Sequence, residues 1–300
     1  MLFECAIVGG GPAGLSAALV LGRARRNVVL LDDNNPRNAV TRESHGFITR
    51  DGIAPGELRR IAHEDISKYG SVQVRRASVN AVRRVSHSSF QLATQQGELY
   101  MARKIILATG LKEILPPVSG LRDFYGKSIF NCPYCDGWEL KDKPLVIISE
   151  GPNAFHMAKT LYNWSVRLAV CTNGHRALTA QQHEALGRRN IKVYEHRIVR
   201  LIGENGALQK VMFEGGGEYV CEGGFVTPQT ALSSSIGQSL GCRTNALGGI
   251  ITDDFGRTNV AGVYAAGDTA AVAPSQLIIA AGAGSRAAIG VNSDLTNEDF

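Results

Sequence analysis

The stretch from Phe3 to Gly14, which reads FECAIVGGGPAG, decides the fold class. Residues 3–8 have the composition of a short buried strand, and an apolar helix is expected from residue 15 to 21. The glycines at 9, 11 and 14 fit the spacing G-x-G-x-x-G. In that motif the first glycine makes a tight turn, the second lets the backbone approach a pyrophosphate, and the third lets the helix pack on the strand. The stretch therefore predicts an α/β fold with the phosphates of a dinucleotide at the helix N-terminus.

The next apolar segment supports the same interpretation. Residues 28–31 read as a second buried strand that ends at Asp32, where an acidic residue is expected to bind a ribose hydroxyl. A glycine-rich turn in an α/β protein without a ligand is the alternative. The dinucleotide-binding candidates in this half of the motif are Gly9, Gly11, Pro12, Ala13, Gly14, Asp32 and Asp33.

Composition excludes several other classes of protein. Of the 300 residues, 44% are hydrophobic and 20% are charged, which is too apolar for a disordered chain. No apolar run approaches the roughly 18 residues of a membrane span. The net charge of +5 is small, and no basic run alternates with aromatic residues, so nucleic-acid binding is not expected. Six cysteines are too few for a secreted disulfide scaffold, and no signal peptide is evident. We expect a cytoplasmic protein with reduced thiols and without a membrane partner.

Two further strand ends carry small residues. Residues 105–110 read IILATG, and residues 262–268 read GVYAAGD, followed by a helix rich in alanine and glycine at residues 276–290. With the first motif, these segments resemble the flavoproteins that have two dinucleotide-binding domains. The resemblance implies FAD, with Asp268 on the ribityl chain and the helix N-terminus facing the flavin, where its partial positive charge stabilises the anionic reduced ring. The added candidates are Thr109, Gly110, Gly267, Asp268, Gln276 and Leu277.

The only close pair of cysteines is Cys132 and Cys135, in the run CPYCDGW. A zinc site would need further ligands, and no second C-x-x-C or spaced histidine pair is present, so no metal is expected. A thioredoxin-like domain would need a strand before the pair, and residues 123–127 are poor strand material. A third possible role of the C-x-x-C pair is that of a redox-active dithiol beside a flavin. If the pair opens a helix, the helix dipole favours the thiolate of the first cysteine. The other four cysteines are isolated, so we expect small buried side chains.

The run CxxCDG within a flavoprotein chain of this length resembles thioredoxin reductase. The resemblance implies that Cys132 exchanges with the substrate, that Cys135 faces the flavin, and that Asp136 is the acid or base for the leaving thiolate. It also implies a homodimer. An NADPH-binding domain would interrupt the FAD domain, with Pro116 and Pro117 near one crossing of the chain.

The expected NADPH motif departs from the family pattern. After a buried strand at residues 145–148 the sequence reads Ser149-Glu150-Gly151-Pro152-Asn153-Ala154, where the family has G-x-G-x-x-A. Two like charges 4 Å apart at an effective dielectric near 20 repel each other by about 4 kcal/mol. A repulsion of this size lowers a binding affinity nearly a thousandfold. An inward-pointing Glu150 would therefore oppose a pyrophosphate. Near residues 169–174, where the family has a His-Arg-Arg cluster for the 2′-phosphate, only Arg176 is close. We expect loss or severe weakening of NADPH binding; binding through an altered loop is the alternative.

Further segments of the sequence indicate a subgroup within the thioredoxin reductase-like proteins. Residues 36–38 and 45–52, with CPYC and Gly137-Trp138-Glu139, resemble a thioredoxin reductase-like subgroup that includes the dithiol oxidases of gliotoxin and holomycin biosynthesis. Those enzymes close a small dithiol into a disulfide and pass electrons from FAD to oxygen. They typically have histidine after the second cysteine, whereas this chain has Asp136, as the reductases do. His45 is a candidate catalytic residue; a structural role in a turn is its alternative.

The sequence thus predicts two Rossmann-like, three-layer (ββα/αβα) domains. A discontinuous FAD domain is expected at residues 1–114 and 245–300, and a NADPH-like domain with the CPYC motif at residues 115–244. The predicted function is an FAD-dependent dithiol/disulfide oxidoreductase that is not driven by NADPH. Its substrate would be a small dithiol or disulfide, or a thioredoxin-like protein. The alternatives are a disulfide reductase supplied by NADPH or by a protein such as ferredoxin, and a non-enzymatic redox sensor. Residues 36–52 and 228–245 are candidates for the substrate pocket.

Overall fold

The computed structural model of the protein describes Met1–Phe300. Strands and helices alternate over residues 2–76 and 145–194, in the order of βαβ units. The strands are β1 Leu2–Val8, β2 Val28–Asp32, β3 Val72–Arg76, β4 Val79–Ser86, β5 Ser89–Thr94, β6 Leu99–Leu107, β7 Leu111–Ile114, β8 Ile129–Phe130, β9 Leu145–Ile148, β10 Leu168–Cys171, β11 Lys192–Tyr194, β12 Ile198–Glu204, β13 Ala207–Phe213, β14 Glu218–Val220, β15 Gly223–Val226, β16 Gln229–Leu232 and β17 Val263–Ala265. The helices are α1 Pro12–Arg23, α2 Pro55–Ser67, α3 Leu121–Phe124, α4 Pro133–Asp136, α5 Asn153–Leu161, α6 Ala180–Gly187, α7 Ile236–Ser239 and α8 Leu277–Asp299.

Packing divides the chain into two compact units. Unit 1 consists of Met1–Ala39, Gly46–Lys112 and Ala231–Phe300, and unit 2 consists of Val40–His45 and Glu113–Thr230. The sequence analysis predicts the boundaries between the two domains at residues 114 and 245. Residues 231–244 belong with unit 1 because Ile236 and Cys242 are buried in its core.

Unit 1 is built on a parallel sheet with both faces covered. The strand order is β3-β2-β1-β6, and β17 pairs with β6 in parallel, whereas β4 and β5 extend β6 as an antiparallel ribbon. Side chains of β1 alternate between two cores because successive residues of a strand point to opposite faces. Cys5 and Ile7 pack with α1 and α8, while Ala6 and Val8 pack toward the antiparallel strands. These layers are the helix, parallel-sheet and antiparallel-sheet layers of the predicted fold.

Unit 2 repeats the same plan. Its parallel sheet has the order β11-β10-β9-β15-β8, and a separate antiparallel sheet has the order β12-β13-β14. The central strand β9 is fully buried, with Val146 and Ile148 in one core and Leu145 and Ile147 in the other. The prediction of an α/β fold with two Rossmann-like units is confirmed.

The C-terminal helix is longer than expected. The sequence predicts a helix over residues 276–290, whereas α8 begins at Leu277 and continues to Asp299. Arg26 binds this extension, donating to Asn292 Oδ1 and to Thr296 Oγ1 at 2.8 Å each. Partners in distant segments therefore stabilise a polar stretch that local composition does not mark as helical. None of the helices combines the length and the apolar character that crossing a bilayer requires.

Candidate active site

The turn after β1 depends on glycine at two positions. Gly9 has a φ of +103°, and a Cβ atom on it would lie 2.4 Å from the carbonyl oxygen of Ala108. A Cβ atom on Gly14 would lie 1.8 Å from the carbonyl oxygen of Gly9. By contrast, no atom lies within 4 Å of a Cβ placed on Gly11. The turn is thus closed behind Gly9 and Gly14 and open in front of Gly11, as a site for a pyrophosphate requires.

Asp32 is held at the end of β2 by a partner that the sequence analysis missed. One carboxylate oxygen of Asp32 accepts a hydrogen bond from the backbone N–H of Gly10 at 2.8 Å. The other lies 2.5 Å from Nη2 of Arg59, and Arg59 also donates to the carbonyl oxygen of Gly10 at 2.6 Å. Arg59 lies on α2, 27 residues after Asp32, and no spacing rule connects the two. Its side chain fixes both the acid and the glycine-rich turn.

Asp33 points to a different part of unit 1. It lines a polar cavity of about 370 Å³ beside the ends of β3 and β5. The other lining residues are Arg76, Ala77, Ser78, Gln95 and Gln96. Asp33 is thus the only predicted cofactor residue among those that line this cavity.

The ends of β6 and β17 meet the glycine-rich turn. The backbone N–H of Gly110 donates to Thr269 Oγ1 at 2.7 Å, and Thr269 follows the Gly267–Asp268 pair. A Cβ atom on Gly267 would lie 2.8 Å from the Cβ of Ala13. The predicted cofactor residues from three distant segments are therefore brought together in unit 1.

Asp268 has a charged partner, and α8 begins close to the same turn. Nη2 of Arg37 lies 2.7 Å from Oδ2 of Asp268, and both side chains are largely buried. The helix predicted from residue 276 begins at Leu277, and Gln276 immediately precedes it. A Cβ atom on Gly284 would lie 1.9 Å from the carbonyl oxygen of Ala13, so α8 packs directly against the start of α1.

These observations test whether unit 1 fits a dinucleotide cofactor. The first turn of α1 presents backbone N–H groups at an open turn, which favours an anionic pyrophosphate. Gly11 leaves the space through which the phosphates would pass, and Asp32 can accept hydrogen bonds from a ribose. The set of donors and acceptors, with the space in front of Gly11, fits FAD.

The cysteine pair of unit 2 forms a disulfide at the start of a short helix. Cys132 and Cys135 are bonded, with Cα atoms 5.3 Å apart. Cys132 precedes α4, and its carbonyl oxygen accepts from the N–H groups of Cys135 and Asp136 at 3.1 Å each. A Cβ atom on Gly137 would lie 2.9 Å from the ring of Trp164, so only glycine lets this turn pack there. The pair therefore opens a short helix.

The residue before the disulfide is held by a carboxylate. Glu113 accepts a hydrogen bond from Asn131 Nδ2 at 2.6 Å and another from the Tyr125 hydroxyl. Asn131 immediately precedes Cys132 in the chain. Glu113 therefore fixes the entry to the disulfide turn, a role that its position in β7 did not suggest.

Asp136 lies in a poorly solvated environment within unit 2. The pKa of its carboxyl is raised from 3.8 to about 7, mainly by burial, with a lowering contribution from His45 and a smaller raising contribution from Glu139. Nε2 of His45 lies 3.6 Å from Glu139 Oε1 and 3.6 Å from Glu43 Oε2. The structure thus brings the predicted residue His45 to the charged groups that follow the disulfide.

The raised pKa of Asp136 predicts a pH-dependent contribution to stability. A carboxyl whose pKa is higher in the folded state stabilises the fold at low pH and loses that contribution as pH rises from about 4 to 7. We expect Asp136→Asn to be more stable than the wild type at pH 8 by about 1–3 kcal/mol, and equally stable at pH 4. Thermal unfolding of both proteins across this range measures the difference; a constant difference would contradict the raised pKa.

The carboxyl ends of β9 and β10 in unit 2 have an unusual polar arrangement. Ser149 is buried and accepts a hydrogen bond from the hydroxyl of Thr227 at 2.7 Å. Glu150 Oε1 accepts a hydrogen bond from Asn173 Nδ2 at 2.6 Å, and Glu150 Oε2 lies 3.9 Å from Nε2 of His175. The Glu150 carboxylate therefore spans the two strand ends where a Rossmann-like unit binds its nucleotide.

The remaining cysteines are buried away from the disulfide. Cys5, Cys171, Cys221 and Cys242 are free thiols, as the sequence predicts. Burial raises the pKa of the Cys221 thiol to about 12 and raises that of Cys171 as well. These thiols stay protonated at neutral pH and are poor nucleophiles.

Comparisons with known proteins cover almost the whole chain. The profile of the family "pyridine nucleotide-disulphide oxidoreductase" matches residues 3–284. The "probable thioredoxin reductase" of Arthroderma benhamiae is 40% identical over 151 residues, which is 49% of this chain and 37% of that protein. The chain therefore matches just over a third of the length of that relative.

Solved structures match over the full length. TrxB of Bacillus anthracis has a TM-score of 0.96 at 45% identity, covering 99% of this chain and 100% of that one. HlmI has a TM-score of 0.94 at 35% identity, covering 99% and 93% of the two chains. Both units are therefore present in full in these relatives.

Proposed function

Because the chain belongs to the pyridine nucleotide-disulphide oxidoreductase family and is a thioredoxin reductase-like flavoprotein oxidoreductase, we propose that it oxidises dithiols through Cys132 and Cys135. Family membership implies FAD as its cofactor. In this proposal NADPH does not supply the electrons, which come from the thiol substrate. The observation that carries the proposal is the Glu150 carboxylate at the nucleotide-binding edge of unit 2.

The charge at this edge opposes a dinucleotide. A pyrophosphate approaching the ends of β9 and β10 meets the Glu150 carboxylate in a region partly shielded from water, where like charges repel more strongly than in bulk water. Asn173 holds that carboxylate at 2.6 Å and is itself fixed by the N–H group of Ile198 at 2.8 Å. Arg176 is exposed near this edge and the side chain of Arg197 passes beside Gly174, but the His-Arg-Arg run of the family is absent from residues 169–174.

The thiol chemistry balances without a nicotinamide. A substrate thiolate attacks Cys132 Sγ, the Cys132–Cys135 bond breaks, and Cys135 leaves as a thiolate. The second substrate thiol then attacks the mixed disulfide, which releases an oxidised substrate and leaves both enzyme sulfurs reduced. The substrate has lost two electrons and two protons, and the Asp136 carboxylate can accept one of these protons. When bound, FAD would supply the two-electron acceptor with which Cys132 and Cys135 close into a disulfide again, and oxygen or another acceptor would be the final oxidant.

A small dithiol is the substrate class that we propose. Tyr134 and Trp138 are 70% and 66% exposed on either side of Cys135 in sequence, so they offer aromatic surface to a substrate with apolar parts. The resemblance of residues 36–38 and 45–52 and of the CPYC motif to the gliotoxin and holomycin dithiol oxidases supports this choice. The protein is expected to act as a homodimer.

One observation favours a second function. The residue after the second cysteine is Asp136, as in the thioredoxin reductases that the sequence resembles. A disulfide reductase acting on a thioredoxin-like protein, with electrons from NADPH or from a protein such as ferredoxin, is therefore the competing candidate.

An aerobic assay without nicotinamide tests the proposal. Purified protein with bound FAD is incubated with dithiothreitol in air, and thiol loss and hydrogen peroxide are followed together. We expect repeated turnover with one peroxide formed for each disulfide. The same protein should reduce an aromatic disulfide only poorly with NADPH. Turnover that occurs only with NADPH would contradict the proposed dithiol oxidase and support the disulfide reductase.

The effect of the Glu150 charge on NADPH binding can be measured directly. Replacing Glu150 with glutamine removes the charge but keeps the hydrogen-bonding shape, so we expect NADPH to bind at least about tenfold more tightly. Isothermal titration measures the affinity. Glu204→Gln, an exposed change in the same unit, is the matched control. Equal affinities in the wild type and both variants would mean that Glu150 does not weaken the site.

A further inference from the structure

A cavity of about 450 Å³ lies on unit 2, between α5 and the end of α6. This volume is in the range of sites for small organic molecules. The apolar part of its lining includes Phe155, Leu186 and Ile191. Leu186 and Ile191 are 2% and 4% exposed and form the floor, while Phe155 is partly buried at the wall. No lining residue belongs to the disulfide turn or to the ends of β9 and β10, so the cavity is separate from the candidate active site.

The charged part of the lining is entirely positive. Lys159 and Arg189 are its only charged residues, and neither forms an ion pair with a carboxylate. Nζ of Lys159 lies 5.0 Å from the centre of the Phe155 ring, and Nη1 of Arg189 donates only to the carbonyl oxygen of Ala185, at 3.5 Å. The hydroxyl of Tyr162, a further lining residue, is an additional hydrogen-bond donor. The cavity therefore combines an apolar floor with two positive charges that no protein anion neutralises.

The end of α6 does not need Arg189 for its own stability. A cation at the C-terminal end of a helix counters the helix dipole. Arg188 directly follows α6 and can fill that role, and its Nη2 is also paired with Oε1 of Glu184 at 2.6 Å. Arg189, one residue later, lines the cavity without a carboxylate partner. Two adjacent arginines thus have different surroundings, and the second is available to a ligand.

We propose that this cavity binds a small organic anion with an apolar body, of the class of a medium-chain fatty-acid carboxylate. The carboxylate would lie at Lys159 and Arg189, where charge-assisted hydrogen bonds favour an anion. The chain would cover the remaining apolar surface of Phe155, Leu186 and Ile191 and remove it from water. A neutral apolar molecule would leave both cations without an anion, and a small inorganic anion would leave the apolar lining in water. This site is independent of the proposed thiol chemistry.

Isothermal titration of the protein with bound FAD tests the proposal, with octanoate as the probe. We expect one octanoate to bind per chain. Butyrate should bind at least about tenfold more weakly, because its shorter chain buries less apolar surface. Octanol should also bind at least about tenfold more weakly, because it has the chain without the charge. Equal affinities for octanoate and butyrate, or no binding of octanoate at millimolar concentration, would overturn the proposal.

Four variants test whether octanoate occupies this cavity. Lys159→Gln and Arg189→Gln should each weaken its binding at least about fivefold, because each removes one positive charge. Arg188→Gln is the matched control and should leave the affinity nearly unchanged, since Arg188 is paired with Glu184. Ala185→Glu adds a carboxylate to the lining with a residue that favours helix, and should abolish binding.

Two results would contradict this location or this ligand. Octanoate affinity that falls as much in Arg188→Gln as in Arg189→Gln, or that persists in Ala185→Glu, would place octanoate elsewhere and overturn the proposal. Vesicles of anionic phospholipid that bind the protein through Lys159 and Arg189, when free octanoate does not, would replace the small ligand by a membrane surface. Thermal unfolding of all four variants near the wild-type temperature shows that the changes in affinity do not come from loss of the fold.

Discussion

Replacing Cys135 with serine should slow the reduction of bound flavin by dithiols at least about a thousandfold. Cys135 is bonded to Cys132 and is the sulfur that must leave when a substrate attacks Cys132. Without the disulfide no electron-accepting S–S bond exists for the substrate to attack. The other four cysteines cannot replace it because they are buried, with thiol pKa values raised above the ordinary value. Anaerobic stopped-flow absorbance at the flavin band measures the rate.

Two measurements distinguish loss of the reaction from loss of the protein. Cys242→Ala removes a thiol of unit 1 that bonds only with Thr258, at 3.7 Å, and should leave the rate unchanged. Photoreduction should still bleach the flavin in Cys135→Ser, which shows that the cofactor is bound and active. If dithiols reduced the Cys135→Ser flavin as fast as that of the wild type, the cysteine pair would have no place in the reaction.

Replacing Gly14 with alanine should destabilise unit 1 by more than about 3 kcal/mol and prevent FAD retention. The added methyl group would lie 1.8 Å from the carbonyl oxygen of Gly9 and 3.0 Å from its carbonyl carbon. Both atoms belong to the backbone of the same turn, so no side chain can rotate to make room. The turn has to open, and β1 and α1 then lose their packing.

Gly11→Ala is the matched control for this substitution. Gly11 has a φ of −74°, which alanine adopts freely, and its added methyl group would meet no protein atom within 4 Å. The apoprotein should therefore unfold at the wild-type temperature, while FAD should bind at least about a hundredfold more weakly because the methyl group enters the space for the phosphates. Thermal unfolding of apoprotein and titration with FAD measure the two effects. If Gly11→Ala bound FAD with the wild-type affinity, the phosphates of FAD would not lie next to Gly11.

The sequence predicts those parts of the fold that depend on neighbouring residues. β1, the glycine-rich turn and the start of α8 at Leu277 follow from local apolar runs and from glycine spacing. The family indicated by these motifs and by CPYCDG is confirmed by the match over residues 3–284. The strand, the turn and the helix start could be predicted from the sequence because each is formed by residues close together in the chain.

Contacts between distant segments could not be predicted in this way. Arg59 reaches Asp32 from a helix that no motif connects with β2, and Arg37 reaches Asp268 across 231 residues. The direction of Glu150 depends on Asn173, whose own position depends on the following strand. The sequence suggested His45 as a candidate but not its neighbours, because the segment Val40–His45 joins unit 2 only through packing.

The most direct test of the central claim is a comparison of two electron donors in one experiment. Protein with bound FAD is mixed anaerobically with excess dithiothreitol, and separately with excess NADPH, in a stopped-flow instrument. The flavin absorbance should fall rapidly with dithiothreitol and stay nearly unchanged with NADPH over the same time. Rapid bleaching by NADPH, with slow or absent bleaching by dithiothreitol, would contradict the account and identify a nicotinamide-driven reductase.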